Sequence, residues 1–255
     1  MAAPVNKFKQ RLKAGDRLIG CWLATGQDYI AEVMGTAGFD WLVIDGEHAP
    51  NDIPSMRAQL TALDSAAAEP IIRLPVDHTH LIKQALDIGA QTLLIPMVDT
   101  ADQAERIVQA CRYPPQGVRG LGASLGRSTK FASVPDYVAT ANDQICVLVQ
   151  VESVKGLENL DAIAAVDGVD GVFIGPSDLS NDMGHQGNAE ADEVKAAIKD
   201  ALARIRSAGK APGILGTTEQ AATRYIEQGA QFIAVGVDIL LLAQAARALA
   251  KKWVG

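Results

Sequence analysis

Two acidic residues stand just beyond two short apolar runs. Glu152 follows Cys146–Val151, and Asp178 lies in the turn Gly175-Pro176-Ser177-Asp178 after Gly171–Ile174. Two carboxylates at the ends of adjacent parallel strands form a donor set for a hard divalent cation, leaving its other positions to water or substrate. A plainer reading is also open. Asp178 can cap a helix that begins near Leu179, and Glu152 can sit in a first helical turn, where the helix dipole favours an anion. Other polar groups hold equivalent places. Asp45, Glu47 and His48 follow Trp41–Ile44, Arg73 closes Pro70–Leu74, and Gln150 precedes Glu152. A histidine there suits proton transfer, and a planar guanidinium suits a carboxylate or enolate oxygen. Each has its alternative: His48 as a loop histidine, Arg73 as a structural ion-pair partner. Asp87 falls in a helical stretch, where position alone reads as surface. His78 and His80 flank a helix start and read as a cap and a surface group, whereas His185, in the loop Met183–Asn188, is placed to line a mouth.

The elements that must position these groups alternate strictly. Leu157, Leu160, Ile163 and Ala164 recur at helical spacing between the two apolar runs, which makes a strand–helix–strand unit. Right-handed crossovers bring the carboxyl ends of such strands to one face. Strands are predicted at Leu18–Leu23, Trp41–Ile44, Pro70–Leu74, Thr92–Ile95, Cys146–Val151, Gly171–Ile174, Ala211–Leu215 and Phe232–Val235. Helical patterns follow each of them, the last over Ile239–Lys252. Eight such units in one stretch of 255 residues, with no linker or composition shift, indicate a single (β/α)8 barrel over 1–255. A doubly wound open sheet is the second choice, and the lack of G-x-G-x-x-G after the first strand counts against its dinucleotide-binding form. Phe8 and Leu12 mark a short amphipathic segment placed to cover the barrel bottom.

Composition excludes several classes. With 48% hydrophobic and 21% charged residues the chain reads as a globular enzyme. A net charge of −7 lacks the basic footprint of a nucleic-acid binder. No apolar run reaches the ~20 residues of a membrane span, and the N-terminus has no secretory apolar core. Cys21, Cys111 and Cys146 read as reduced packing residues of a cytoplasmic protein. No lysine lies in a predicted strand, which disfavours imine chemistry. The loops GILGTTEQ and GVDIL are poor in the donors of a phosphate site, which favours an unphosphorylated acid. The glycine-rich, basic connection Arg112–Tyr137 is long enough to be a lid, a binding loop or a subunit contact.

The segments FDWLVIDGEHAPND, RLPVDHTHLIKQALDIGAQTLLIPMV, RYPPQGVRGLG, VLVQVES and VDGVFIGPSDLS resemble the HpcH/HpaI aldolase family, metal-dependent aldolases of the phosphoenolpyruvate/pyruvate barrel type. The likeness runs from about Phe8 to Leu249. It implies a divalent metal (Mg²⁺, Mn²⁺ or Co²⁺) on Glu152 and Asp178. It makes His48 the general base with Asp87 raising its basicity, and Arg73 the group that stabilises the transition state. Gln150, Ser177, Asp178 and Arg73 are then substrate contacts. The implied reaction is reversible cleavage of a 4-hydroxy-2-oxo acid to pyruvate and an aldehyde through a metal-stabilised enolate. A homohexamer is implied too, with the last helix exchanged between subunits. The alternatives are a related lyase acting on a CoA thioester or phosphonate, and a non-catalytic 2-oxo-acid-binding barrel. No CoA-binding segment is evident, and neither a nucleic-acid nor a membrane partner is expected.

Overall fold

The computed structural model describes Met1–Val254. Eight strands, β1 (Leu18–Leu23), β2 (Trp41–Asp45), β3 (Glu69–Arg73), β4 (Thr92–Ile95), β5 (Cys146–Val151), β6 (Gly171–Ile174), β7 (Ala211–Leu215) and β8 (Phe232–Val237), pair in sequence order. All neighbours are parallel, and β8 pairs with β1 to close the barrel. The expected (β/α)8 architecture is therefore present.

Side chains alternate along each strand. One set, including Leu42, Ile44, Ile72 and Val149, packs outward against the helices. The other fills the barrel with Leu18, Trp41, Ile71, Leu148, Phe173 and Phe232. The large rings fit because Gly20 and Gly213 lie opposite them: a Cβ at Gly20 would overlap the Trp41 ring, and one at Gly213 the Phe232 ring. The N-terminal helix Lys7–Ala14 closes the bottom. Its Phe8 meets Trp41 and Phe232 edge-on, at ring-centroid separations of 6.1 and 5.9 Å. The lower barrel is thus mostly packed apolar core, with Thr92 bonded to Asn6 at its base, and the cluster of charged side chains sits at the carboxyl ends of the strands.

Several local features differ from the sequence expectation. The helical pattern after β5 is two short helices, Val154–Glu158 and Leu160–Ala165. They break at Asn159, whose side-chain amide donates to the Asp99 carbonyl at 2.8 Å. The helix after β6 begins at Pro176 rather than near Leu179, so Asp178 occupies its first turn instead of capping it. The Arg112–Tyr137 connection carries a short 3₁₀ turn at Arg127–Thr129, and its end leads into the helix Tyr137–Gln144. That helix was not legible, since YVATANDQ has little apolar periodicity. His78 does take the expected N-cap position of Thr79–Asp87, but its side chain makes no capping bond. Helix Asp238–Trp253 leaves Ile239, Leu240, Leu241, Leu242 and Leu249 exposed. No helix among the described residues is long and apolar enough to cross a membrane.

All three cysteines are free and buried. Burial pushes the Cys21 and Cys111 thiols up to about 12, and the Cys146 thiol well above its ordinary range. A neutral thiol is a poor nucleophile. At pH 8 a disulfide reagent such as DTNB is expected to leave the native protein unmodified and to titrate all three thiols after denaturation. Fast labelling of a native thiol would contradict this packing. The sign of the linkage follows. A thiol with a raised folded-state value contributes stability below the ordinary value of 9.0. That contribution is lost as pH climbs from there toward about 12.

Candidate active site

The open end of the barrel is a cavity of about 180 Å³. Asp45, His48, Arg73, Gln150, Glu152, Ser177 and Asp178 line it on the polar side, and Trp22, Phe173, Leu215 and Val237 on the apolar side. Six of the seven candidate site residues therefore converge here, drawn from β2, β3, β5 and β6 or the turns just after them.

Arg73 is the most firmly held group. Asp45 and Arg73 are partners in the β2–β3 register, and alternation turns both inward. The guanidinium gives Nε to Asp45 Oδ1 and Nη2 to Asp45 Oδ2, each at 2.8 Å. Its Nη1 lies 2.6 Å from Glu47 Oε2, and its Cζ sits 4.2 Å from the centroid of the Trp22 ring. Two carboxylates and an aromatic face thus fix the plane of the buried cation. Asp45 takes two of the five N–H donors of an arginine, which leaves donors on Nη1 and Nη2 for a ligand in the cavity. Burial is the main cause that raises the Glu47 carboxyl above its usual range. Arg73 opposes this shift and Glu152 adds to it. Asp45 and Trp22 are members of the site to which sequence reasoning assigned no role. The signal was present, because the alternation in LIGCWL and WLVID points both side chains inward at the strand ends.

Glu152 is 2% exposed. The Met97 backbone N–H donates to its Oε1 at 2.9 Å, and Gln150 Nε2 donates to its Oε2. Burial raises its carboxyl above the usual range. The bonds from Gln150 and Met97 work against that shift, and the neighbouring Asp178 charge reinforces it. The arrangement fits a hard cation. It offers a buried carboxylate beside a second, exposed one, and a buried Gln150 Oε1 that has no hydrogen-bond partner among the described residues. Gly175 keeps the space open, since a Cβ there would run into Glu152 Oε2. A divalent ion would offset the repulsion between the two carboxylates.

The side chain of His48 is 66% exposed at the rim, its Nε2 3.9 Å from Glu47 Oε2. Asp87 is elsewhere. It ends the helix Thr79–Asp87, which starts beyond the carboxyl end of β3 and runs toward the barrel bottom. There its Oδ1 accepts a bond from buried Arg119 at 3.1 Å. Nearby Gln91 bonds the N-terminal segment through Pro4. Asp87 and His48 are therefore not brought together within one chain. His185 does not line the cavity and stands 3.9 Å from Glu193.

Comparison with known proteins identifies the family and agrees with the barrel fold. A profile of the HpcH/HpaI aldolase/citrate lyase family matches residues 18–245. A hydroxypyruvate/pyruvate aldolase of Roseovarius nubinhibens is 57% identical over 253 residues, which covers 99% of this chain and 98% of that one. A 4-hydroxy-2-oxo-heptane-1,7-dioate aldolase of Klebsiella pneumoniae is 55% identical over 248 residues, covering 97% and 94%. The crystal structure of an HpcH/HpaI aldolase/citrate lyase family protein from Burkholderia cenocepacia superposes with a TM-score of 0.95 at 40% identity, covering 98% of this chain and 100% of that one. The chain belongs to the HpcH/HpaI aldolase/citrate lyase family.

Proposed function

We propose that the protein is a divalent-metal-dependent pyruvate aldolase that reversibly cleaves 4-hydroxy-2-oxo acids to pyruvate and an aldehyde. The observation that carries this reading is the buried Glu152 beside Asp178, in one cavity with His48 and an Arg73 clamped by Asp45. Glu152 and Asp178 would hold Mg²⁺, Mn²⁺ or Co²⁺, and the bound ion supplies Lewis-acid polarisation of the 2-oxo group.

The protein's own groups account for the rest. Gln150 and Ser177 contact the 2-oxo acid at the cavity wall. His48, at the solvent rim, takes the proton of the 4-hydroxyl. That oxygen becomes the aldehyde carbonyl, the C3–C4 bond breaks, and its electron pair passes into the three-carbon enolate. The N–H groups of Arg73 not taken by Asp45 meet the developing oxyanion in a geometry set beforehand by Asp45 and Glu47. Return of the proton to C3 completes pyruvate. The reading is tested by following pyruvate release from 4-hydroxy-2-oxoheptanedioate by EDTA-stripped and Mn²⁺-restored protein. Release only after metal is restored supports it, and equal release by the stripped protein contradicts it.

The remaining roles rest on the family likeness. Asp87 serves His48 from a second copy of the chain, in a homohexamer whose contacts include the exposed apolar face of Asp238–Trp253. Asp87→Asn is expected to lower kcat roughly tenfold. Co-assembly of that variant with His48→Ala is expected to restore part of the wild-type rate, since some sites then receive both intact groups. Mixed oligomers no more active than their parents would place Asp87 outside the reaction. The three buried thiols fit the reducing cytoplasm.

A further inference from the structure

The chain leaving β4 is stitched to the end of β5 residue by residue. The Val98 N–H donates to the Gln150 carbonyl at 2.9 Å. Ser153 Oγ donates to Asp99 Oδ1 at 2.5 Å. Just before Val98, Met97 adopts a left-handed backbone with φ of 55°, and its N–H meets Glu152 Oε1 at 2.9 Å. A left-handed residue that is not glycine is uncommon, and such strain gathers where function requires it.

The Met97 side chain does not explain this conformation, because the residue is 49% exposed. The surrounding bonds do. Gln103 Nε2 donates to the Met97 carbonyl at 3.1 Å and to Asp77 Oδ2 at 3.0 Å. Its Oε1 accepts the Asp99 N–H at 3.0 Å. One side chain thus braces the turn on both sides of Val98. With Gln150 on the other carboxylate oxygen, both oxygens of Glu152 are tied down. A glutamate otherwise has three side-chain torsions with which to turn away.

We propose that the left-handed turn at Met97, locked by Gln103, is a positioning device that aims the Glu152 carboxylate toward Asp178 for metal binding. Met97 acts through its backbone and not through its thioether. The inference rests on the reading of Glu152 and Asp178 as metal ligands. Groups that hydrogen-bond a ligating carboxylate fix its orientation and set metal affinity.

The test uses full-length Met97→Gly, Met97→Asn, Met97→Ile and Gln103→Ala proteins, with Mn²⁺ as the probe and no substrate. Free Mn²⁺ is followed by electron paramagnetic resonance during titration, and a thermal melt reports folding. Glycine and asparagine enter the left-handed region readily, and a β-branched residue does not. Met97→Gly and Met97→Asn are expected to keep the wild-type Kd within about twofold, and Met97→Ile and Gln103→Ala to weaken it roughly tenfold. If Met97→Ile fails to fold, Gln103→Ala still decides the matter. Wild-type affinity in both weakened variants would overturn the proposal. So would equal weakening by glycine, asparagine and isoleucine, which would assign the effect to the thioether. Absence of Mn²⁺ uptake by the wild-type protein would instead defeat the metal reading itself.

Discussion

Glu152→Gln is expected to lose pyruvate-forming activity by roughly a thousandfold while the metal-free protein melts higher than wild type. The first effect follows from the ligand set. Asp178, alone and exposed, is a weak site, and no other carboxylate occupies the buried position of Glu152. Losing several kcal/mol of transition-state charge stabilisation, at about 1.4 kcal/mol per tenfold, gives that magnitude. The second effect follows from the raised carboxyl of Glu152, caused first by burial and reinforced by Asp178. For a carboxyl raised in the folded state, stability is fully present below the unfolded value and is lost as pH rises through the folded one. Above the ordinary carboxylate range the metal-free wild type therefore loses stability that a glutamine, which does not titrate, keeps. Each 1 kcal/mol recovered corresponds to about 2–4 °C for a chain of this size. Thermal melts in EDTA across pH 5 to 8 check the sign: the gain should grow with pH. A variant that keeps full activity, or melts lower throughout that range, would contradict this assignment.

Arg73→Lys is expected to cost roughly 10²–10³ in kcat, with a smaller change in KM. An ammonium can reach either Asp45 or Glu47, but it cannot hold both in plane, stack on Trp22 and present further donors to the substrate. The loss should fall mainly on kcat because the oxyanion develops only in the transition state. Arg73→Ala adds a stability defect, since buried Asp45 loses its partner; breaking such a pair costs about 3–5 kcal/mol. Steady-state kinetics of the lysine variant, with a melt alongside, separates the effects. Unchanged kcat in a folded protein would remove Arg73 from the chemistry.

Much of this was legible in the residues. β1, β4, β5, β6 and β7 have the expected bounds, and abrupt polar, glycine or proline punctuation ends the last four of these runs. Period-two alternation at the strand ends is enough to bring Asp45, Arg73 and Gln150 to one mouth once the strands are known to be parallel, and Asp178 follows in the helical turn after β6. The clamp on Arg73 was harder to foresee, since it needs the β2–β3 register as well as the alternation. Asp87 shows why local pattern is not enough. Its helical position reads as surface, only family resemblance singles it out, and one chain leaves it at the far end of the barrel from His48. The turn at Met97 was invisible, because nothing in IPMVDT marks a left-handed residue and the cause is a bond network reaching to Gln103 and Glu152.

The most direct test of the central claim needs no knowledge of the aldehyde. Pyruvate in D₂O is incubated with the protein and Mg²⁺ or Mn²⁺, and the methyl signal is followed by proton NMR, then again with excess EDTA. The account predicts metal-dependent loss of the methyl protons that stops on chelation and is absent in Glu152→Gln. Exchange that continues at the same rate in metal-free wild-type protein would contradict it.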